Sequence, residues 1–119
     1  MRFLSFIKTA ENQGPIPQGL EEAMGSFIEQ SLKNGSLVQT GGLAPSAQGT
    51  RARLAGGKVT VTDGPFAEAK EVIGGYAMLE AASLEAAKQI MVDFLELHRR
   101  HWPEFEGECE VRPVEFLAP

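Results

Sequence analysis

The stretch Val72-Ile73-Gly74-Gly75-Tyr76-Ala77-Met78-Leu79-Glu80 constrains this chain more than any other, because read as a strand it offers water neither of its faces. Side chains alternate across a strand, so Ile73, Gly75, Ala77 and Leu79 share one face while Val72, Gly74, Tyr76 and Met78 share the other. No charge interrupts either set before Glu80. Such a strand has to be covered on both sides. The segment Arg2 to Lys8 makes the same demand, since Phe3, Ser5 and Ile7 alternate with Leu4 and Phe6 and both sets are largely apolar. Two segments have the spacing of amphipathic helices. Leu20, Met24, Phe27, Ile28 and Leu32 recur at helical intervals before the stop signal Asn34-Gly35, which predicts a helix over about residues 20–33. Leu84, Ala87, Ile90, Met91, Phe94, Leu95 and His98 form a second stripe, capped by Ser83, with Glu85 in the first turn and Pro103 forcing the end. Two helices cover one sheet face. The simplest cover for the other is a second copy of the chain, so a homodimer is expected, joined by the face carrying Val72, Tyr76 and Met78.

The remaining elements follow from turn chemistry. Residues 12–19 are a Gly- and Pro-rich loop, and Ser36 to Thr40 is a short strand ending at Gly41-Gly42. Thr50 to Ala55 and Lys58 to Thr62 flank Gly56-Gly57, a two-residue hairpin signal because both glycines accept positive φ. Pairing across that turn sets Leu54 opposite Val59, Ala52 opposite Val61 and Thr50 opposite Asp63. Arg51 and Arg53 then face Thr62 and Thr60 on the other side. A helical turn is expected from Phe66 to Lys70, and a last strand from Glu110 to Leu117, with Pro113 marking an edge position or a bulge. The order β-α-β, hairpin, β-α-β within 119 residues is that of one domain, residues 1–119, with a ferredoxin-like α+β sandwich: βαββαβ plus an inserted β-hairpin, helices on one sheet face.

The candidate site is the turn Thr62-Asp63-Gly64-Pro65-Phe66. Continuing the period of two from Val59 and Val61 puts Asp63 on their face, expected to be the inward one. Two readings of this carboxylate stay open. It caps its own turn by accepting from the amides of Phe66 and Ala67, or it is a partly buried acid at the mouth of a pocket, where desolvation suits it to proton transfer or ligand binding. On the second reading Asp63 is the catalytic acid or base and Phe66, Lys70, Tyr76 and Met78 line the ligand site, with Lys70 folding back over Asp63. The ligand is then a small organic molecule held in a dimer cleft.

Other chemistries lack support. With 11 basic and 16 acidic residues, the net charge of -5 argues against nucleic acid as a direct partner. No apolar run approaches the ~20 residues needed to span a bilayer, and the apolar start is cut by Lys8 without a cleavage site, so no membrane and a cytoplasmic location are expected. The single Cys109 fits a reducing compartment. His98 and His101 are three apart, but two imidazoles without a further ligand at suitable spacing make half a site, so metal binding is not expected. No nucleophile elbow or phosphate-binding glycine loop is present, and no cofactor is expected.

Asp63-Gly64-Pro65-Phe66-Ala67-Glu68-Ala69-Lys70-Glu71 followed by Gly74-Gly75-Tyr76 resembles the signature of the YCII-related proteins, DGPF branch. The likeness extends upstream through Gly49-Thr50-Arg51-Ala52-Arg53 and downstream to Glu110-Val111-Arg112-Pro113. It implies a ferredoxin-like domain that dimerises through its sheet into a barrel-like α+β assembly. In some related proteins a His paired with an Asp has been proposed as an active-site dyad, whereas here the segment from Thr9 to Asn34 contains no His. The resemblance also implies an alternative to ligand binding: a non-catalytic interaction module associated with sigma-factor-dependent transcription.

Overall fold

The computed structural model describes residues 1–66 and 68–116. In chain order these form β1 (Arg2–Thr9), α1 (Gln18–Lys33), β2 (Leu37–Gly42), a 3-10 turn (Ser46–Gln48), β3 (Thr50–Ala55), β4 (Lys58–Asp63), β5 (Val72–Glu80), α2 (Leu84–His101) and β6 (Gly107–Pro113). One antiparallel sheet has the order β2-β5-β1-β6, and β3 pairs with β4 in a second, two-stranded sheet. Helix α1 carries the chain past β5 from β1 to β2, and α2 carries it past β1 from β5 to β6. That is the expected ferredoxin-like α+β arrangement, with the hairpin inserted between β2 and β5.

The core forms where the central strands meet the helices. Phe3 and Leu79 are register partners on β1 and β5, and with Leu37 and Ala87 they make a buried cluster packed against Ile28, Ile90 and Val111. Helix α1 starts as the Pro17 carbonyl accepts the amides of Leu20 and Glu21, and stops where Gly35 takes φ +82°. Its buried face ends at Ser31, one residue before the expected Leu32. Leu20 and Ser31 are separated by about three full turns and both are buried, while Leu32 is rotated about 100° further round and is exposed. Ser83 caps α2 as predicted, its Oγ accepting the Ala86 amide at 3.1 Å, whereas Leu84 in that first turn is exposed. Strand β6 starts at Gly107, not Glu110, because β1 stays paired with it as far as Thr9. Pro113 falls at the end of this edge strand, where a missing N–H costs no inner ladder bond. The expected end of that strand, Leu117, lies outside the described residues.

Two register shifts change which side chains share a face. Ile7 pairs with Gly75, but the next residue, Lys8, pairs with Ile73, so the strand slips by one at Gly74. Beyond the slip Val72 partners Thr9 on the helix-facing side, and Ile73 joins Tyr76 and Met78 on the open side. The expected face of Val72, Tyr76 and Met78 is therefore Ile73, Tyr76 and Met78. A second shift at Val38 sets Leu37 opposite Leu79 but Gln39 opposite Met78. Half of the open face is charged: Lys8 bridges Glu108 at 3.1 Å and Glu110 at 3.5 Å, and Arg112 meets Glu110 at 3.0 Å. The β1–β5 half carries Leu4, Phe6, Tyr76 and Met78.

The hairpin turns at Gly56 and Gly57 with φ +58° and +74°, and its register sets Leu54, Ala52 and Thr50 opposite Val59, Val61 and Asp63 as predicted. Its apolar face is not inward in the single chain. Leu54 is 71% exposed, Val59 63% and Val61 69%, and Asp63 at the end of the same row is exposed too.

Candidate functional site

A cavity of about 830 Å³ opens between the helices and the main sheet. It exists because the layers next to the Phe3–Leu79 pair are filled with small residues: Ser5 faces Ala77, and Ile7 faces Gly75. Leu20, Met24, Phe27 and Ile28 of α1 form one wall, Ile90, Met91, Phe94 and His98 of α2 the other, and Trp102, Phe105 and Cys109 close one end. The loops after β1 and β2 supply Glu11, Gln13, Leu43 and Pro45. Gln13 holds its loop against the start of β6, donating to the Glu106 carbonyl at 2.7 Å and accepting the Glu106 amide at 2.9 Å.

The polar groups of this cavity have distinct electrostatics. His98 is buried, and desolvation pushes its pKa below the ordinary histidine range, partly offset by the Phe94 carbonyl 3.0 Å from Nδ1. Burial also pushes the Cys109 thiol up to about 11, which leaves it a neutral, unreactive lining group. Glu11 accepts both the amide of Ser46 at 2.6 Å and its hydroxyl at 2.5 Å, and these bonds hold its carboxyl below the usual carboxylate range.

Ser46 joins that rim to the turn singled out above. Its Oγ accepts the amide of Phe66 at 3.2 Å, while the Gly64 amide donates to the Gly49 carbonyl at 2.8 Å. A Cβ on residue 64 would lie 1.7 Å from the Ser46 carbonyl oxygen, so only glycine fits this close approach of two backbones. The Gly64–Pro65 peptide is cis. Arg51 pairs with Glu68, and its guanidinium lies 3.8 Å from the Phe66 ring centroid. Thus residues 11, 46, 49, 64 and 66 knit three loops into one buttress at the cavity mouth.

The YCII-related domain model matches residues 1–94, well over half of the sequence. The chain belongs to the YCII-related family. An uncharacterised protein of Rhizobium meliloti (strain 1021) is 32% identical over 88 residues, which are 74% of this chain and 67% of that protein.

Within this YCII-related chain the predicted site residues do not converge. Asp63 accepts from the Thr50 hydroxyl at 3.1 Å across the hairpin, and the Phe66 amide, expected to cap it, goes to Ser46 instead. Ala67, the other expected donor, lies outside the described residues, and the helical turn expected from Phe66 to Lys70 does not form: the described residues there make a single turn, closed by the Ala69 amide donating to the Phe66 carbonyl at 3.0 Å. Lys70 is exposed. Tyr76 belongs to a strand that walls the cavity, but its ring lies over Gly41 on the open sheet face, the face that Met78 shares. Phe66 anchors the buttress without lining the cavity. Sequence reasoning missed Glu11 and Ser46, which are 35 residues apart and share no periodicity. It placed His98 on the buried stripe but did not see that this stripe faces empty space. The signal available was the run of small residues Gly74, Gly75 and Ala77 opposite Ser5. His101, three residues on, is exposed beside Gly19, so the two histidines do not face one centre.

Proposed function

We propose that this protein is a homodimer in which each subunit holds a small, largely apolar organic molecule in the cavity between helices and sheet. The cavity itself carries the reading: about 830 Å³ lies within the range of ~300–1,000 Å³ usual for ligand sites, and its walls are aliphatic and aromatic with a few polar groups. The buttress of Glu11, Ser46 and Phe66 keeps the mouth in shape. In this reading the family's turn sequence serves the site by holding backbone, with Gly64 as its tightest point.

The second copy is supported by surface area. A compact 12.9 kDa chain should expose about 6,300 Å², whereas this one exposes 8390 Å². Its radius of gyration of 16.1 Å likewise exceeds the ~13.5 Å of a compact domain of this length. An excess of roughly 2,000 Å² per chain is on the scale that large homodimer interfaces hide. The uncovered surfaces are the apolar half of the open sheet face and the apolar row of the hairpin. Acid/base chemistry at Asp63, with Lys70 and Met78 lining the same site, would require a partner subunit to close over the hairpin, since in one chain the carboxylate is exposed and these residues do not meet.

Light scattering at micromolar concentration should give twice the chain mass, and Met78→Asp should give 12.9 kDa, because an unpaired charge at such an interface costs several kcal/mol. A wild type of 12.9 kDa would sink the dimer and leave the hairpin face open to another protein, the interaction-module alternative.

A further inference from the structure

We propose that His98 is the recognition group of the cavity, its Nε2 accepting a hydrogen bond from the hydroxyl of an uncharged aromatic ligand of the phenol class. This rests on the cavity being a ligand site. Nδ1 lies 3.0 Å from the carbonyl of Phe94, one turn back on α2. A carbonyl can only accept, so Nδ1 carries the proton and the neutral ring presents a lone pair at Nε2. The residue is 7% exposed, yet no fully enclosed side-chain nitrogen or oxygen among the described residues lacks a partner. The protein bonds His98 through Nδ1, and Nε2 therefore opens on the cavity that the residue lines. The ring plane is fixed by Phe94, edge-on with centroids 4.7 Å apart, and by Phe105 at 4.8 Å. This is an aimed acceptor in an aromatic frame.

The rest of the lining selects against charge. Among the described residues no Lys or Arg lines the cavity, so an anion would find no counterion. The titratable groups there besides His98 are Glu11, Glu21, Tyr76 and Cys109. Glu11 is spent on Ser46, Glu21 is exposed, the Cys109 thiol is protonated at neutral pH, and the Tyr76 ring is on the far face of the sheet. Both carboxylates are exposed to water, so no buried counterion draws a cation inside, and an imidazole held neutral by burial discriminates by hydrogen bonding. Phe27, Phe94, Trp102 and Phe105 favour a flat aromatic body. The matched family region ends at residue 94, so the residue that would read the ligand lies beyond it.

The test compares naphthol with naphthalene by NMR titration of the full chain. Naphthol should bind the wild type roughly five- to tenfold more tightly, the scale of one neutral hydrogen bond. His98→Phe should bring naphthol down to the affinity of naphthalene, and His98→Gln, which retains an acceptor, should restore part of the preference. Long-range nitrogen–proton spectra of wild-type His98 should show the Nδ1–H tautomer, with Nε2 shifting on addition of naphthol; this readout stands even if a variant fails to fold. Equal affinities, a preference that survives His98→Phe, or an Nε2–H tautomer would each overturn the inference while leaving the cavity reading intact. Failure of both probes to bind would remove the cavity reading and this inference with it.

Discussion

Strands β1 and β4 carry the same kind of alternating pattern and meet opposite surroundings. Phe3 on β1 is fully buried, while Val61 on β4 is 69% exposed, although each sits in an apolar row facing an apolar row on its partner strand. The difference comes from what lies above the row. β1 is central, with two neighbours in the sheet and helices packed over Phe3. β4 has one neighbour and no helix. Periodicity therefore identifies which side chains share a face, but the connections of the chain decide whether that face has a cover. Over the hairpin no described element of the subunit supplies one.

Paired truncations break this comparison most sharply. Phe3→Ala should cost about 3–5 kcal/mol in chemical denaturation, as a large core side chain replaced by a cavity does. Val61→Ala, measured in the monomeric Met78→Asp background, should stay within ~0.5 kcal/mol, as an exposed substitution does. In the dimer, whose midpoint depends on protein concentration with or without the substitution, the same Val61→Ala should cost clearly more. A Val61→Ala effect identical in both backgrounds would show that the hairpin face is uncovered in solution.

A smaller effect separates the root of the hairpin from the end of β2. Gly64→Ala forces a methyl into the Ser46 carbonyl and should destabilise by roughly 1–3 kcal/mol, whereas Gly42, with open space around its Cβ position and no positive φ, should accept Ala nearly without cost. Thermal midpoints of the two variants check this contrast, and equal shifts would mean that the buttress relaxes freely.

The mildest prediction concerns acid. Bonds from Ser46 lower the Glu11 pKa in the folded state, so the unfolded chain binds protons more readily and the stabilisation present above the ordinary carboxylate pKa is lost as pH falls through the folded value. Wild type should lose stability relative to Ser46→Ala below about pH 4, and the curves should run parallel above about pH 5. Parallel curves throughout would remove Glu11 from the buttress.

Much of the fold was legible because it rests on local rules. The Gly56-Gly57 turn fixed the hairpin register through to Thr50 and Asp63, Ser83 announced α2, and the limits of β5 followed from its apolar run. The slips at Gly74 and Val38 were not legible, since a bulge answers to neighbouring strands and a single misplaced residue inverts every later side chain. The candidate site was the least legible. Asp63 drew attention through its own turn, whereas the cavity is made by absences, in the small residues Ser5, Gly75 and Ala77, and its mouth by Glu11 reaching a serine across 35 positions.

Cys109 gives the cavity an unusual chemical temperament. With its thiol held near 11, only about one molecule in ten thousand carries a thiolate at neutral pH. Oxidants, electrophiles and soft metals that attack sulfur through its anion find almost nothing to react with. The single sulfhydryl of the chain therefore behaves as inert upholstery, and the oxidisable sulfur of the cavity lies in the thioethers of Met24 and Met91 instead.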